Sequence, residues 1–320
     1  MKPIIVVMRK VDDSFLVPLQ QEYEVLMSSQ TDQSVSWEQM KEVSDRVVAL
    51  WTTLDDKITG EMIEQLPNLK VIANMAVGYN NIDLAVAQQK DIIVCNTPDV
   101  LSDTTADLAF GLLMMAARQL PQAEQALRRG EWKAWEPFGF AGLDIHGSSL
   151  GIIGMGRIGQ ALAKRATGFD MTVKYHNRNR KPEAEEQLGV AYATMEEILK
   201  TCQFVAVFSP LTPETKGMIG REQIAMMRED AVFINAARGE IVDEQALYEA
   251  LRDGKIYGAG LDVFEKEPIT KDHPLLSLPN VVALPHMGSA SIQTRTKMAQ
   301  MNVESILAVL NKQEPVYTVQ

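Results

Sequence analysis

The sequence predicts an α/β protein made of two doubly wound parallel sheets. Short β-branched runs alternate with helical patterns from Lys2 onward: KPIIVVM, EYEVLM, RVVALWT, LKVIANM and DIIVC. Strands separated by helices at this spacing pair in parallel and are covered on both faces. A second alternating set follows with SLGIIGMG, MTVKYH, FVAVFSP, AVFINAA, YGAGLDVF and VVALPHMG. At 320 residues, 46% hydrophobic and 23% charged, the chain is long and apolar enough for two ordinary cores.

Between the two sets lies Ser102 to Arg118, SDTTADLAFGLLMMAAR, where Ser, early acids and a long apolar series predict a buried helix. The helical pattern from Ile292 to Leu310 has no strand after it, so it is expected to return to the first sheet. The nucleotide-binding domain, 101–289, is then an insertion in a substrate-binding lid domain of 1–100 and 290–320, with a hinge at the two crossovers. No internal repeat or low-complexity tract interrupts this pattern.

Charge and cysteine usage narrow the function. A formal charge of −11 argues against nucleic acid or an anionic membrane as the main partner, because both demand clustered Lys and Arg. The two cysteines, Cys95 and Cys202, each sit in an apolar run, so neither a disulfide framework nor a cysteine metal site is expected. No secretory segment or long apolar span is read, which makes a cytoplasmic location the expectation.

The glycine run Gly154-Met155-Gly156-Arg157-Ile158-Gly159 follows the strand LGII and opens the helical pattern GQALAKRA. In that setting its glycines permit a tight turn, close approach of backbone to a pyrophosphate and close helix–strand packing. The strand after it, MTVKYH, would end in an acid if the site held the ribose hydroxyl of NAD. It runs instead into His176-Asn177-Arg178-Asn179-Arg180. A missing carboxylate beside two arginines suits a 2′-phosphate, with Arg178 as the preferred contact, against the plainer reading of a solvated basic loop. NADP(H) is therefore expected over NAD(H), which stays possible.

Three later strand ends carry polar residues: Asn235 to Gly239 after AVFI, Asp262 with Glu265 and Glu267 after YGAGL, and His286 after VVALP. Ligands in open parallel sheets bind outside the carboxyl ends of the strands, so these segments should converge. Each also has a plain reading. Arg238 suits a surface ion pair, EKEP a solvated turn in which Glu265 and Glu267 are equivalent on spacing, and His286 a structural histidine. His146, His176 and His273 lack a comparable setting and read as structural or surface residues. The methionines at 114, 115, 226 and 227 read as core filler, and the run Glu183 to Gln187 as a solvated helix face.

Over nearly its whole length the sequence resembles the D-2-hydroxyacid dehydrogenases, in AVGYNNID, LSDTTADLAFGLLM, LGIIGMGRIG, FSPLTPETKGMI, FINAARGEIVDEQAL, GAGLDVFEKEP and LPHMGSAS. Through RGEWKAWEPFGFAG it is most similar to the glyoxylate/hydroxypyruvate reductases, which generally use NADPH. The resemblance implies two Rossmann-like or flavodoxin-like domains and a catalytic set of Arg238, Glu267 and His286. It also implies cofactor contacts from Thr104, Ser209, Pro210, Thr215, Ala236, Ala237, Asp262, His286 and Gly288, beside those of the glycine run, Asn177 and Arg178. Substrate contacts would come from Val77, Gly78, Arg238 and His286, with Trp135 reaching across a homodimer.

The chemistry agrees with that assignment. Reducing a 2-oxoacid needs a proton donor for the developing alkoxide, a carboxylate to orient and stabilise the imidazolium, and a planar fork for the substrate carboxylate. Other readings from the same resemblance are a 2-ketogluconate or phosphoglycerate type of dehydrogenase, and a non-enzymatic nicotinamide-sensing corepressor-like scaffold. No metal site is expected.

Overall fold

A computed structural model describes residues 1–319. The chain divides into two compact units, Met1–Leu101 with the segment from Ser291 onward, and Ser102–Ala290.

The first unit is built on five parallel strands, β1 (Ile4–Val7), β2 (Glu24–Met27), β3 (Val47–Thr52), β4 (Val71–Asn74) and β5 (Ile93–Cys95), in the order β2-β1-β3-β4-β5. Short helices connect them: α1 (Val17–Gln20), α2 (Trp37–Lys41), α3 (Gly60–Glu64) and α4 (Leu84–Gln89). Ile4, Val6, Leu50 and Ile72 face one apolar layer, while Ile5, Val7, Trp51, Val71 and Ala73 face the other. Alternate residues thus bury on opposite faces, and a strand buried on both faces reads as the continuous apolar run seen in the sequence.

The second unit opens with α5 (Ser102–Ala117) and α6 (Leu120–Arg128). Its strands are β6 (Ser149–Ile153), β7 (Thr172–His176), β8 (Ala191–Tyr192), β9 (Phe204–Val207), β10 (Val232–Asn235), β11 (Gly258–Leu261) and β12 (Val281–Ala283). They form one parallel sheet in the order β12-β11-β10-β9-β6-β7-β8. Its remaining helices are α7 (Arg157–Thr167), α8 (Pro182–Leu188), α9 (Met195–Thr201), α10 (Arg221–Ala225) and α11 (Glu244–Arg252). The last helix of the chain, α12 (Ile292–Leu310), packs on β3, β4 and β5 of the first unit, and Asn302 there donates to the Ala73 carbonyl at 3.0 Å.

Helix α5 lies on β10 and β11 and beside α7, where Arg165 pairs with Asp103 and Asp107. Its buried face carries Ala106, Ala109, Leu112, Leu113 and Ala116, at the three- and four-residue spacing of one helical stripe. The two-residue β8 is a strand the sequence did not announce. Both its residues are exposed, so no apolar alternation marks it. Strand order reverses between β6 and β9, which places the topological switch point at their carboxyl ends. Cys95 and Cys202 are both buried, and burial pushes the Cys95 thiol up to about 11. Among the described residues no helix is long and apolar enough to cross a membrane.

Candidate active site

At the switch point the loops after β6 and β9 touch. Gly154 has φ +108°, and a Cβ there would stand 2.6 Å from the backbone of Phe208 and Ser209. Only glycine tolerates both the conformation and the approach. A Cβ on Gly159 would meet the Gly154 carbonyl oxygen at 2.3 Å, so this glycine seats α7 against the strand end.

Gly156 differs from both, since nothing lies within 4 Å of where its Cβ would be. It stands at the N-cap of α7, where no side chain caps the helix. Helix N–H groups without intrahelical acceptors, the positive end of the helix dipole and open space over a glycine fit a pyrophosphate. Ile158 lies half-buried on the first turn of α7, and Arg157 is exposed. Met155 is buried, and its N–H donates to the Asn177 side chain at 2.7 Å. That bond ties the end of β7 to the glycine turn.

The two arginines beyond β7 have different surroundings. Arg180 forms a two-pronged ion pair with Glu185 and lies over the Tyr192 ring. With Tyr175 also donating to it, Glu185 is held down at about 2. Arg178 is exposed and makes no ion pair with any described residue, although its charge reaches Glu214. Across the switch point, Ser209 bonds the Ile153 carbonyl. The Thr215 hydroxyl closes the next loop by donating to Pro210 and accepting from Thr212 N–H. Thr104 lies half-buried on the first turn of α5.

The loop after β10 is folded around Asn235, which is 1% exposed. Its side-chain oxygen accepts from the Ala237 N–H at 3.1 Å and its amide donates to the Arg238 carbonyl at 3.0 Å. Ala236 and Ala237 stay half-buried, and Arg238 donates to the Ala237 carbonyl. Burial pulls the Arg238 guanidinium below its usual range, and the charge of Glu267 partly restores it.

His286 and Glu267 form a pair. Nδ1 of His286 lies 2.6 Å from one Glu267 oxygen, and the other oxygen accepts the Phe264 N–H at 2.8 Å. Side-chain exposures of 22% and 21% make this a partly desolvated, charge-assisted contact, of a kind that contributes roughly 1.5–3 kcal/mol. Burial raises the Glu267 carboxyl, but the hydrogen bond and charge of His286, the Phe264 amide and Arg238 outweigh it, leaving a net depression. With Nδ1 committed to the carboxylate, Nε2 of His286 is the ring atom left to exchange a proton.

Asp262 builds the turn that presents the histidine. The N–H groups of His286, Met287 and Gly288 donate in succession to the Asp262 backbone oxygen and to its two carboxylate oxygens, at 2.9, 2.8 and 2.8 Å. His286 is thereby held at φ +49°, a left-handed conformation costing roughly 1–2 kcal/mol. Asp262 is 1% exposed, and burial dominates its net upward shift. Its carboxylate oxygens are thus occupied within the turn. Sequence reasoning treated Asp262 as a cofactor contact and missed this clamp.

In the first unit, the loop after β4 has its carbonyls tied from behind. Thr97 N–H bonds Ala76, Asn96 bonds Val77 and Asn74 bonds Gly78, each at 2.9 Å. Among the described residues neither the Val77 nor the Gly78 N–H has an acceptor, so two adjacent donors are unspent. Asn74 is itself buried and accepts from Thr52. In the second unit, Trp135 is 78% exposed, in a loop where Trp132, Phe138 and Phe140 are exposed too. Among the described residues no group of three or more His, Cys, Asp and Glu is placed to hold a metal ion.

A glycine turn at the switch point of a parallel sheet, with an arginine and a histidine–carboxylate pair on its later strand ends, is the construction of a nicotinamide-dependent dehydrogenase. Comparison with known proteins makes the class specific. The chain belongs to the D-isomer specific 2-hydroxyacid dehydrogenases, whose NAD binding domain matches residues 110–288. It is 45% identical over 312 residues to a glyoxylate reductase of Korarchaeum cryptofilum, covering 96% of this chain and 93% of that one. Among solved structures it is similar to a protein from Thermus thermophilus (41% identity, TM-score 0.92, coverage 99% and 100%). It is also similar to an NADPH-dependent glyoxylate/hydroxypyruvate reductase of Sinorhizobium meliloti solved with NADP and malonate (34% identity, TM-score 0.87, coverage 100% and 97%).

Proposed function

We propose that this protein reduces glyoxylate and hydroxypyruvate to glycolate and D-glycerate, with NADPH preferred and NADH possible as the hydride source. The observation that carries the reaction is the His286–Glu267 pair beside the desolvated Arg238. NADPH, when bound along Gly154–Gly159, supplies hydride to the carbonyl carbon of the 2-oxoacid. His286 Nε2 gives its proton to the carbonyl oxygen, so that C=O becomes CH–OH. Glu267 holds the imidazolium and its orientation. Arg238 offers a planar fork to the substrate carboxylate. The first unit carries anion donors of its own in the Val77 and Gly78 amides.

The cofactor preference rests on Asn177 and Arg178. The chain leaves β7 through Asn177, Arg178, Asn179 and Arg180 with no carboxylate among them, Asn177 is spent on the glycine turn, and Arg178 is exposed and makes no ion pair with any described residue. A panel of 2-oxoacids assayed with NADPH and NADH tests both parts. Glyoxylate and hydroxypyruvate should head the panel, and NADPH should give the higher kcat/KM. Arg178→Ala should raise the KM for NADPH roughly tenfold, the loss of a charged hydrogen bond, with little change for NADH. Equal use of the two cofactors by the unaltered chain would remove the preference.

The exposed aromatic loop supports a homodimer. Trp132, Trp135, Phe138 and Phe140 fall within nine residues, a density of large exposed aromatics that marks interfaces. Trp135 is the residue expected to reach the partner's substrate. Light scattering after gel filtration should give twice the monomer mass at micromolar concentration, and a monomer would end this proposal.

A further inference from the structure

Glu244 begins α11, directly after Asp243, and it does not cap its own helix. That position is filled by the Asp243 carboxylate, which accepts the Ala246 N–H at 2.9 Å. Glu244 points instead to the turn that carries Glu267. One oxygen accepts the Glu265 N–H at 3.0 Å, and the other lies 3.0 Å from Nε2 of His273. Both side chains are more than four-fifths buried, with exposures of 19% and 18%. The His273 ring stands edge-on to Phe264, their centroids 5.6 Å apart. Successive amides of one turn are therefore held by two different carboxylates, Phe264 by Glu267 and Glu265 by Glu244.

Beyond those bonds and its backbone contact with Gly239, the turn has little to fix it. Phe264 is buried, but Glu265, Lys266, Glu267 and Pro268 are exposed as whole residues, so apolar packing does not set the backbone there. The peptide between Phe264 and Glu265 is also the one resting against Gly239, next to Arg238. A restraint on that peptide sets the Glu267 carboxylate relative to both His286 and Arg238. We propose that Glu244, braced by His273, is a positioning residue for the reaction: it locks the Phe264–Glu265 peptide and so fixes where Glu267 supports the His286 imidazolium. This rests on the reading that His286, Glu267 and Arg238 act on the 2-oxoacid.

The test compares Glu244→Ala, Glu244→Gln and His273→Gln in the intact chain, measuring kcat, KM for NADPH and glyoxylate, thermal midpoint and the pH dependence of kcat. Glu244→Ala should lower kcat roughly tenfold to a hundredfold, as misplacing a catalytic group by up to 1 Å does, with the KM for NADPH unchanged. The acid limb of the reductive profile should move to higher pH, because a displaced Glu267 loses part of the His286, Phe264 amide and Arg238 contacts that depress its carboxyl. Glu244→Gln keeps an acceptor for the Glu265 N–H and should recover most of kcat. If Glu244→Ala does not fold, His273→Gln, which removes only the brace, should give a smaller shift in the same direction.

A lowered thermal midpoint with an unmoved pH profile would reduce Glu244 to a structural role and overturn the proposal. So would a glutamine variant no better than alanine. His286→Ala separates this failure from that of the reading beneath it. If that variant is inactive while the Glu244 variants keep the parent profile, only the positioning role is lost.

Discussion

Replacing His286 with alanine is expected to lower kcat for glyoxylate reduction by about 10²–10⁴, the range lost with a general acid, while the KM for NADPH changes little. The reasoning is geometric. His286 is the histidine whose Nδ1 is committed to a carboxylate that also feels Arg238, and its backbone is held in a left-handed conformation by three successive bonds to Asp262. Structure this costly around one side chain is what presentation of its Nε2 requires. Alanine keeps the backbone donors, so the fold should survive and the loss should fall on turnover. Near-normal kcat would exclude His286 as the acid.

The partner variant adds a pH signature. Glu267→Gln leaves a group able to accept the Phe264 N–H but removes the charge. In the parent protein Glu267 is depressed below the usual carboxylate range, so the acid limb that its protonation imposes should lie below that range too. The sign for stability follows the same depression. Glu267 contributes stability above its unfolded pKa, and loses it as pH falls through the lower folded value. Glutamine should abolish this acid limb in both activity and stability.

Much of this site was legible because parallel strands announce themselves as apolar runs and their carboxyl ends are where ligands bind. The polar residue after each run could be picked out before any coordinates. What spacing alone left open, and only the resemblance answered with Glu267, was which of two nearby carboxylates faces the histidine. Glu265 and Glu267 are equivalent by spacing, and the turn decides between them, using the Glu265 amide for Glu244 and the Glu267 side chain for His286.

The loop-tying role of a second class of residue went unread, although Asn235 was noted as a polar residue at a strand end. Asn74 ends β4, Asn96 follows β5 and Asn235 ends β10, and each turns its side-chain amide onto a carbonyl of a nearby loop: Gly78, Val77 and Arg238. Asparagine at the end of a buried strand is a visible signal. Its meaning depends on how the loop folds back, and hydrophobic period carries no information about that. His273 was passed over for the same reason, since its partner Glu244 is 29 residues away.

Gly239→Ala is expected to be as damaging as removal of a catalytic side chain, though no functional atom is deleted. Gly239 does not occupy the left-handed region, so backbone freedom is not what it supplies. A Cβ at this position would stand 1.9 Å from the Phe264 carbonyl carbon and 2.3 Å from the Glu265 nitrogen, and those are backbone atoms that no rotamer change can move. Even one methyl must push the β10 loop and the Phe264–Glu267 turn apart. Overpacking of this kind costs roughly 1–3 kcal/mol and sometimes more. The displacement falls between Arg238 and Glu267, where a shift of about 1 Å lowers turnover by on the order of 10². The variant should therefore lose kcat by far more than its fraction folded declines, measured by comparing activity with thermal unfolding on one preparation. Parent-like activity in Gly239→Ala would mean that the two loops can separate without consequence, and that their contact does not set the geometry of the site.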